Sequence, residues 1–492
     1  MKGILVKSLA LMVILSGSVV AQGLPVYNQG YLQSYGSMLM MAYPAARDFN
    51  GGGVRARGMG NAFIGVSDDA SAVSWNPAGL YRQDNQYEQP VISLSYQSLS
   101  SDAGFSSKPF TEFDSKQFDF DDVANDVNFM SIVLPIRLKG HMFVGSLAYS
   151  RLGDEVYNSG MGFDVMMPFD APDSLDGIDR QFTYQVETNY RSAVNVLNIG
   201  FGTRLYNNWS FGLSVNAYGG KAAEAIEETV TWEDAIIPGA SNDQRGTYII
   251  ANDTWDTTSF SGVYFTLGFK YTSERLSAGL IIKTPHTLKE SIDVLIENQG
   301  YANGNEWGAD VTVHRDDNIV ELDQPMILGA GVGYKVTEKL LLAVDVEYRP
   351  YEGGMVNRRD SLQLVPGGTD IEYFTEYDPF WENTWAFRTG AEYVWETGSQ
   401  LFPIVPLRAG FGYVQLPAPN VDDYTVDDLL NVVPVTSKTA ITKWSLGTGV
   451  RWAQIDLDFA YEKSTGDLEN SVFVQKWSTD NSAFSVMFTG YF

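Results

Sequence analysis

The sequence predicts an all-β chain: a transmembrane antiparallel β-barrel of about 14 strands, with an N-terminal plug of short helices in its lumen. Three observations carry this. From about residue 90 onward, apolar residues alternate with polar residues or glycine. The connections between these alternating segments are short and long by turns. The face opposite the apolar one carries ionisable side chains that a dry protein core could not hold without great cost.

Composition narrows the alternatives. The chain has 492 residues, 60 Asp plus Glu against 33 Lys plus Arg, a net charge of −27 and no cysteine. That length would fit roughly three domains of ~150 residues, yet one repeated pattern runs through most of it. Without cysteine there are no disulfides, thiolate nucleophiles, cysteine-type zinc sites or lipidated thiols. His141, His286 and His314 are the three histidines and lie far apart, so no histidine metal site is expected. Such acidity excludes a nucleic-acid partner, which needs a basic footprint. No cofactor and no metal is expected. Nor is an enzyme: a barrel lipase would need a nucleophile–histidine pair, and none of the histidines has such a setting.

The elements follow in chain order. Residues 1–21 have the layout of a secretory signal: Lys2 and Lys7, an apolar run from Leu9 to Val20, then small residues with cleavage near Ala21. The run is shorter than the ~20 residues of a spanning helix, and no later stretch reaches that length. Residues 22–90 are rich in glycine and alanine and carry short helical patches rather than strands; they are expected to form an N-terminal extension and plug. Residues 91–492 are expected to form the barrel.

Within the barrel region, Trp385, Phe387, Thr389, Ala391, Tyr393 and Trp395 alternate with Ala386, Arg388, Gly390, Glu392 and Val394. This period of two is that of a strand with one greasy and one polar face. Comparable segments lie near 91–99, 128–138, 141–152, 190–205, 208–221, 258–272, 275–284, 325–336, 339–349, 383–396, 404–415, 440–452, 454–463 and 482–492. Tight turns are expected at Lys139-Gly140, Asn207, Ser273-Glu274, Thr337-Glu338, 397–403 and Ala453. Long loops are expected near 100–127, 153–189, 222–257, 285–324, 350–382, 416–439 and 464–481. A barrel with short turns at one end and long loops at the other makes this alternation.

The polar face holds Asp345, Glu347, Arg388, Glu392, Arg408, Lys443, Arg451, Asp456 and Asp458, which can pair across strands inside a polar lumen. Inward glycines, such as Gly200, Gly268, Gly331, Gly410 and Gly447, leave room for a plug. Tryptophans at strand ends, such as Trp385, Trp395, Trp444 and Trp452, suit interfacial girdles.

The most specific motif lies before the barrel: Arg57-Gly58-Met59-Gly60-Asn61-Ala62-Phe63, followed by Ser67-Asp68-Asp69-Ala70 and Asn76-Pro77-Ala78-Gly79-Leu80. Asp68 or Asp69 can cap a short helix at 70–75 that Asn76-Pro77 ends. The wording resembles the plug of the FadL/TodX family of outer-membrane transporters of hydrophobic compounds. The key positions are Gly58, Gly60, Asp68, Asp69, Asn76, Pro77 and Ala78. The terminal strand with Phe484, Val486, Phe488, Gly490 and Phe492 resembles the signal by which barrel assembly machinery takes up such proteins, although Gly490 stands where an aromatic is usual.

The resemblance implies a protein of the Gram-negative-type outer membrane for passive uptake of long-chain fatty acids or hydrocarbons, a hydrophobic small molecule being its partner. A monomer amid outer-membrane lipid and lipopolysaccharide is expected. Candidate ligand contacts are Phe105, Phe110 and Phe113 in the first loop, with Phe118 and Phe120 nearby. Arg388, Arg408 and Lys443 are candidate anchors for a carboxylate; the alternative is an ion-pair network bracing the barrel against its plug. Asp114, Asp119, Asp121, Asp122 and Asp126 could bridge cations to lipopolysaccharide, or simply be solvated. Similar plug wording in PorV-like barrels leaves a second function open: a scaffold for partners in a protein secretion system.

Overall fold

The computed structural model describes residues 51–82, 89–107, 116–168, 179–236, 245–302, 305–306, 311–363, 370–426, 432–470 and 475–492. The expected signal segment and residues 22–50 lie outside them. The described strands form one closed antiparallel ring of fourteen. They are β1 (Val91–Ser107), β2 (Lys116–Leu138), β3 (His141–Pro168), β4 (Asp179–Tyr206), β5 (Trp209–Ile236) and β6 (Arg245–Thr272). Four interrupted strands follow: β7 (Leu276–Lys283 and His286–Ala302), β8 (Val311–Gln324 and Ile327–Lys335), β9 (Leu340–Arg349 and Val356–Gln363) and β10 (Asp370–Tyr377 and Thr384–Glu396). The ring ends with β11 (Ile404–Val426), β12 (Val432–Arg451), β13 (Ile455–Asn470) and β14 (Gln475–Tyr491). β14 pairs back on β1, Val91 opposite Tyr491, so the sheet has no open edge there.

The barrel is inverted, greasy outside and polar inside. Leu147 is 49% exposed and Ile199 and Val344 are each 56% exposed, whereas Arg388 is 2% exposed. A belt of this kind is stable only against lipid. The short connections fall where alternation stops. Lys139 (φ 48°) and Gly140 (φ 83°) make a two-residue turn with both residues left-handed, the form that matches strand twist.

The long loops are a correction. Most of each is a ladder continuing the barrel. Residues 153–168 pair with 179–194, and 222–236 with 245–258. The regular alternation of the spanning segments does not mark these extensions in the sequence. Glu224, Glu227 and Glu228 stand on a strand whose hydrogen bonds persist well past the spanning segment.

A second feature is not foreseen by the sequence pattern. β7, β8, β9 and β10 all break at one height. Their lower segments run 8, 9, 10 and 13 residues from the short turns. A tilted strand needs about 9–11 residues to cross a bilayer, so the breaks sit at the outer rim of the lipid belt. Pro285 and Pro325 lack the N–H a ladder requires. Across the break the inward face shifts by an odd number of residues. Ile281 is followed inward by Leu288, Gly329 is preceded by Leu322, and Arg349 is followed by Val356, each seven apart. Such a shift flips a strand's faces. Among the described residues, upper β10 pairs with β9 and not with β11.

Candidate functional site

Residues 51–82 occupy the lumen as two short helices, α1 (Val54–Gly58) and α2 (Ala72–Trp75), and a 3₁₀ turn at Pro77–Leu80. None is long enough to be stable alone; the barrel wall holds them. Val54, Ala70, Val73 and Leu80 pack on Phe129, Val133, Val144 and Met487, while Met59, Phe63, Val66 and Trp75 form a second cluster with Ala343.

The expected inward glycines are where plug backbone meets wall backbone. A Cβ on Gly410 would lie under 3.0 Å from Gly60 N and the Met59 carbonyl carbon, and one on Gly268 would strike Asn76 and Pro77. Gly60 itself has φ 64°, which turns the chain sharply after α1. Gly58 lies against Gly447 Cα at 3.1 Å from its own would-be Cβ.

The acidic pair of the motif divides its work. Asp69 accepts from Ser71 N at 2.8 Å and Ser71 Oγ at 2.6 Å, shaping the entry to α2 without capping it through a conventional side-chain bond. Asp68 instead pairs with Arg55. Desolvation works against the Asp68 carboxylate, but Arg55, then Arg82 and Lys270, hold it well below the usual carboxylate range. The stability this lends the plug is therefore present at neutral pH and lost only as pH falls through that depressed value.

Asn76 does more than stop a helix. It is the N-cap of the 3₁₀ turn, accepting from Ala78 N at 3.1 Å, and it donates to Ile64 O (3.1 Å) and to Phe269 O on β6 (3.2 Å). Ala78 O in turn accepts from Ser210 Oγ at 2.9 Å. Pro77 opens the turn, where its missing N–H costs nothing. Asn76→Ala should destabilise plug docking by about 1–3 kcal/mol; faster hydrogen exchange across residues 64–80, with the barrel intact, would register it.

Arg55 reaches the wall. Its Nε donates to Glu392 Oε2 at 2.9 Å and its Nη2 to Glu392 Oε1 at 3.0 Å. Glu392 also accepts from Arg408 Nε (2.6 Å) and Arg451 Nη2 (3.2 Å), and Arg408 continues to Asp458 at 2.6 Å. A second tether is Asp345, whose carboxylate accepts from Ile64 N at 2.6 Å. Others run from Asn61 to Glu462 (2.8 Å) and from Arg57 to Gln97 (2.5 Å) and Ser485. Asp345→Asn keeps one acceptor for Ile64 N, so its cost should be nearer ~1 kcal/mol, read as a smaller rise in exchange at Ile64 and Gly65.

The three candidate anchors sit on the inner wall. Arg388 pairs with Glu347 at 2.9 Å and Arg408 with Glu392 and Asp458; Lys443 is buried on β12. The two guanidinia thus face carboxylates of neighbouring strands. Phe110 and Phe113 lie outside the described residues. Phe105 lies on β1 opposite Phe118 in the ladder, and Phe120 follows on β2. Of the aspartates, Asp126 pairs with Arg151.

What sequence patterning does not reveal lies inside the wall break. Leu288, Val320, Leu322, Tyr351, Val356 and Trp381 form an apolar cluster there, with Tyr218 and Ile292 against it. His286 stacks on Tyr264 (4.8 Å) and Tyr218 (5.4 Å), and Trp381 meets Tyr351 edge-on at 5.7 Å. Prolines inside strand patterns are the signal that could have found it.

Comparison with known proteins bears on the fold. No protein-family model matches the chain, and no curated protein matches it. Among solved structures, the toluene transporter TodX of Pseudomonas putida superposes with a TM-score of 0.55 at 14% identity, covering 91% of this chain and 100% of that one. A FadL homologue of Pseudomonas aeruginosa superposes with a TM-score of 0.51 at 14% identity, covering 88% and 97%. The chain has the fold of these FadL- and TodX-type plugged barrels.

Proposed function

We propose that this protein is an outer-membrane channel for passive uptake of hydrophobic compounds. The observation that carries the reading is a wall interrupted at the outer rim of the lipid belt, beside an apolar aromatic cluster, above a lumen closed by a plug. A water-filled pore would not need the cluster, and a closed structural barrel would not need the breaks. A greasy solute entering from the long-hairpin end meets the aromatic cluster. The seam between upper β10 and β11, without a ladder among the described residues, leaves the wall open beside the cluster just above the lipid belt. The plug meanwhile denies polar solutes the lumen. The solved channels of this fold include the toluene transporter TodX, which supports an uncharged, mainly apolar solute over a fatty acid. The paired state of Arg388 and Arg408 points the same way, since a carboxylate would have to displace their partners.

The test is uptake of a radiolabelled hydrocarbon by cells carrying the full chain or a deletion of residues 57–80. The deletion should change the uptake rate severalfold while heat-modifiable migration shows an assembled barrel. Identical uptake by both, and by cells lacking the protein, sinks the reading. The tall hairpins of β3–β6, with strands of 28 residues, favour a second reading as a docking scaffold. Stable co-purifying proteins lost on trimming those hairpins would favour it.

A further inference from the structure

The aromatic cluster at the wall break contains polar atoms that a hydrocarbon site would not need. Trp381 is 4% exposed and Gln324 7% exposed. The Trp381 indole N–H and the Gln324 amide nitrogen have no hydrogen-bond partner among the described residues, and neither does the Thr384 hydroxyl. Buried donors in this condition are rare, because each forfeits its bond to water. Two of them share one neighbourhood. Tyr351 OH donates to Gln324 Oε1 at 3.3 Å, and the Tyr351 ring meets the Trp381 ring at 5.7 Å. The amide is thereby oriented: with Oε1 engaged by Tyr351, its donor end is the one left over. Thr384 opens the lower segment of β10, three residues after Trp381 and opposite Arg349 in the ladder.

Each of these residues stands at an interruption. Gln324 is the last residue before the Pro325 break, Tyr351 lies in the β9 break, and Trp381 in the β10 break. Strand residues in an intact ladder have fixed neighbours, whereas residues at a break can be held for another purpose. The lining around them is Leu288, Val320, Leu322 and Val356. Apolar walls with two neutral donors match one ligand chemistry. A pure hydrocarbon would leave both donors unsatisfied. A carboxylate would have to compete for Arg349, the nearby cation, which Glu347 already pairs at 2.7 Å, and would otherwise meet an apolar lining. An uncharged ring compound with one oxygen acceptor satisfies the donors and the walls together.

We infer that the break across β8–β10 is a binding station for uncharged, mainly apolar ring compounds bearing a hydrogen-bond-accepting oxygen, held by Trp381 Nε1–H and Gln324 Nε2–H. This rests on the uptake reading and narrows its solute class.

Equilibrium dialysis of the full-length, detergent-solubilised protein tests it with two probes of similar shape, using protein-free micelles as the blank. Acetophenone accepts a hydrogen bond; ethylbenzene cannot. Acetophenone should bind about five- to tenfold more tightly, the effect of one or two buried hydrogen bonds. Trp381→Phe and Gln324→Leu should each remove most of that preference and leave ethylbenzene binding unchanged. Gln324→Leu keeps the inference testable if the tryptophan variant fails to assemble, and heat-modifiable migration reports assembly of both. Saturable ethylbenzene binding with no acetophenone preference would overturn the station's chemistry and leave the uptake reading standing. A preference that survives both substitutions would overturn the assignment to these residues. Saturable binding of neither probe would overturn both.

Discussion

Gly410→Val should unseat the plug and leave the barrel standing. The added Cβ would fall under 3.0 Å from Gly60 N, the Met59 carbonyl carbon and Gly60 Cα, all backbone atoms. A clash with a side chain is relieved by a rotamer change; here the whole turn at Gly60 must move. Overpacking costs about 1–3 kcal/mol even where side chains can adjust, so the upper end applies, and ~3 kcal/mol lowers the seated-to-unseated ratio roughly 100-fold. The barrel should survive, since Gly410 pairs with Gly390 and Ser445 through backbone bonds that valine can also make. The expected result is a sharp rise in permeability to small polar solutes in a liposome-swelling assay, with normal heat-modifiable migration. Gly219→Val is the control, because its Cβ meets nothing within 4 Å. In a chain already lacking residues 57–80, Gly410→Val should add nothing. Unchanged permeability of the single variant would show that the plug does not depend on this approach.

That glycine is legible as an inward position from the amino-acid pattern alone, and the reason is physical. Lipid imposes one greasy face on a spanning strand, and the period of two does the rest. So the spanning parts of all fourteen strands, their turns and the inverted polarity can be read. Where lipid stops, the constraint stops. Residues 153–168 and 222–236 are strands by their backbone ladders, and their irregular mixture of acidic, small and apolar residues does not announce one.

The site divides in the same way. Asn76-Pro77-Ala78 is legible because a turn that must satisfy its own backbone in a confined lumen restricts residue type. The partners of the plug are not, since Arg55 and Glu392 are 337 positions apart and nothing local couples them. Arg408 reads as a possible ligand anchor, yet its neighbours across the strands are Glu392 and Asp458. The break across β7–β10 is hidden by its own effect. Breaks such as those at Pro350 and Pro379 interrupt the alternation that would have marked the strand continuing beyond them, so Tyr351 and Trp381 read as loop residues.

Glu392→Gln should release the same plug by a different route. The carboxylate is the shared acceptor of Arg55 on the plug and of Arg408 and Arg451 on the wall, and its side chain is 5% exposed. Removing its charge leaves three guanidinia to compete for Asp68 and Asp458. Breaking a buried pair by neutralising one member costs about 3–5 kcal/mol, because the remaining charge stays desolvated. If plug docking bears that loss, amide exchange at Arg57–Asn61 accelerates by at least about 100-fold, at ~1.4 kcal/mol per decade. Neutralising Arg55 as well should cost less than the sum of the two single changes, since Arg55→Gln removes one of the charges that Glu392→Gln strands. The exposed pair Lys339–Glu396 is the reference: Lys339→Met should shift stability by no more than ~1 kcal/mol. Exchange at Arg57–Asn61 that matches the unmodified protein in Glu392→Gln would mean that packing on the wall glycines, rather than this charge hub, holds the plug in place.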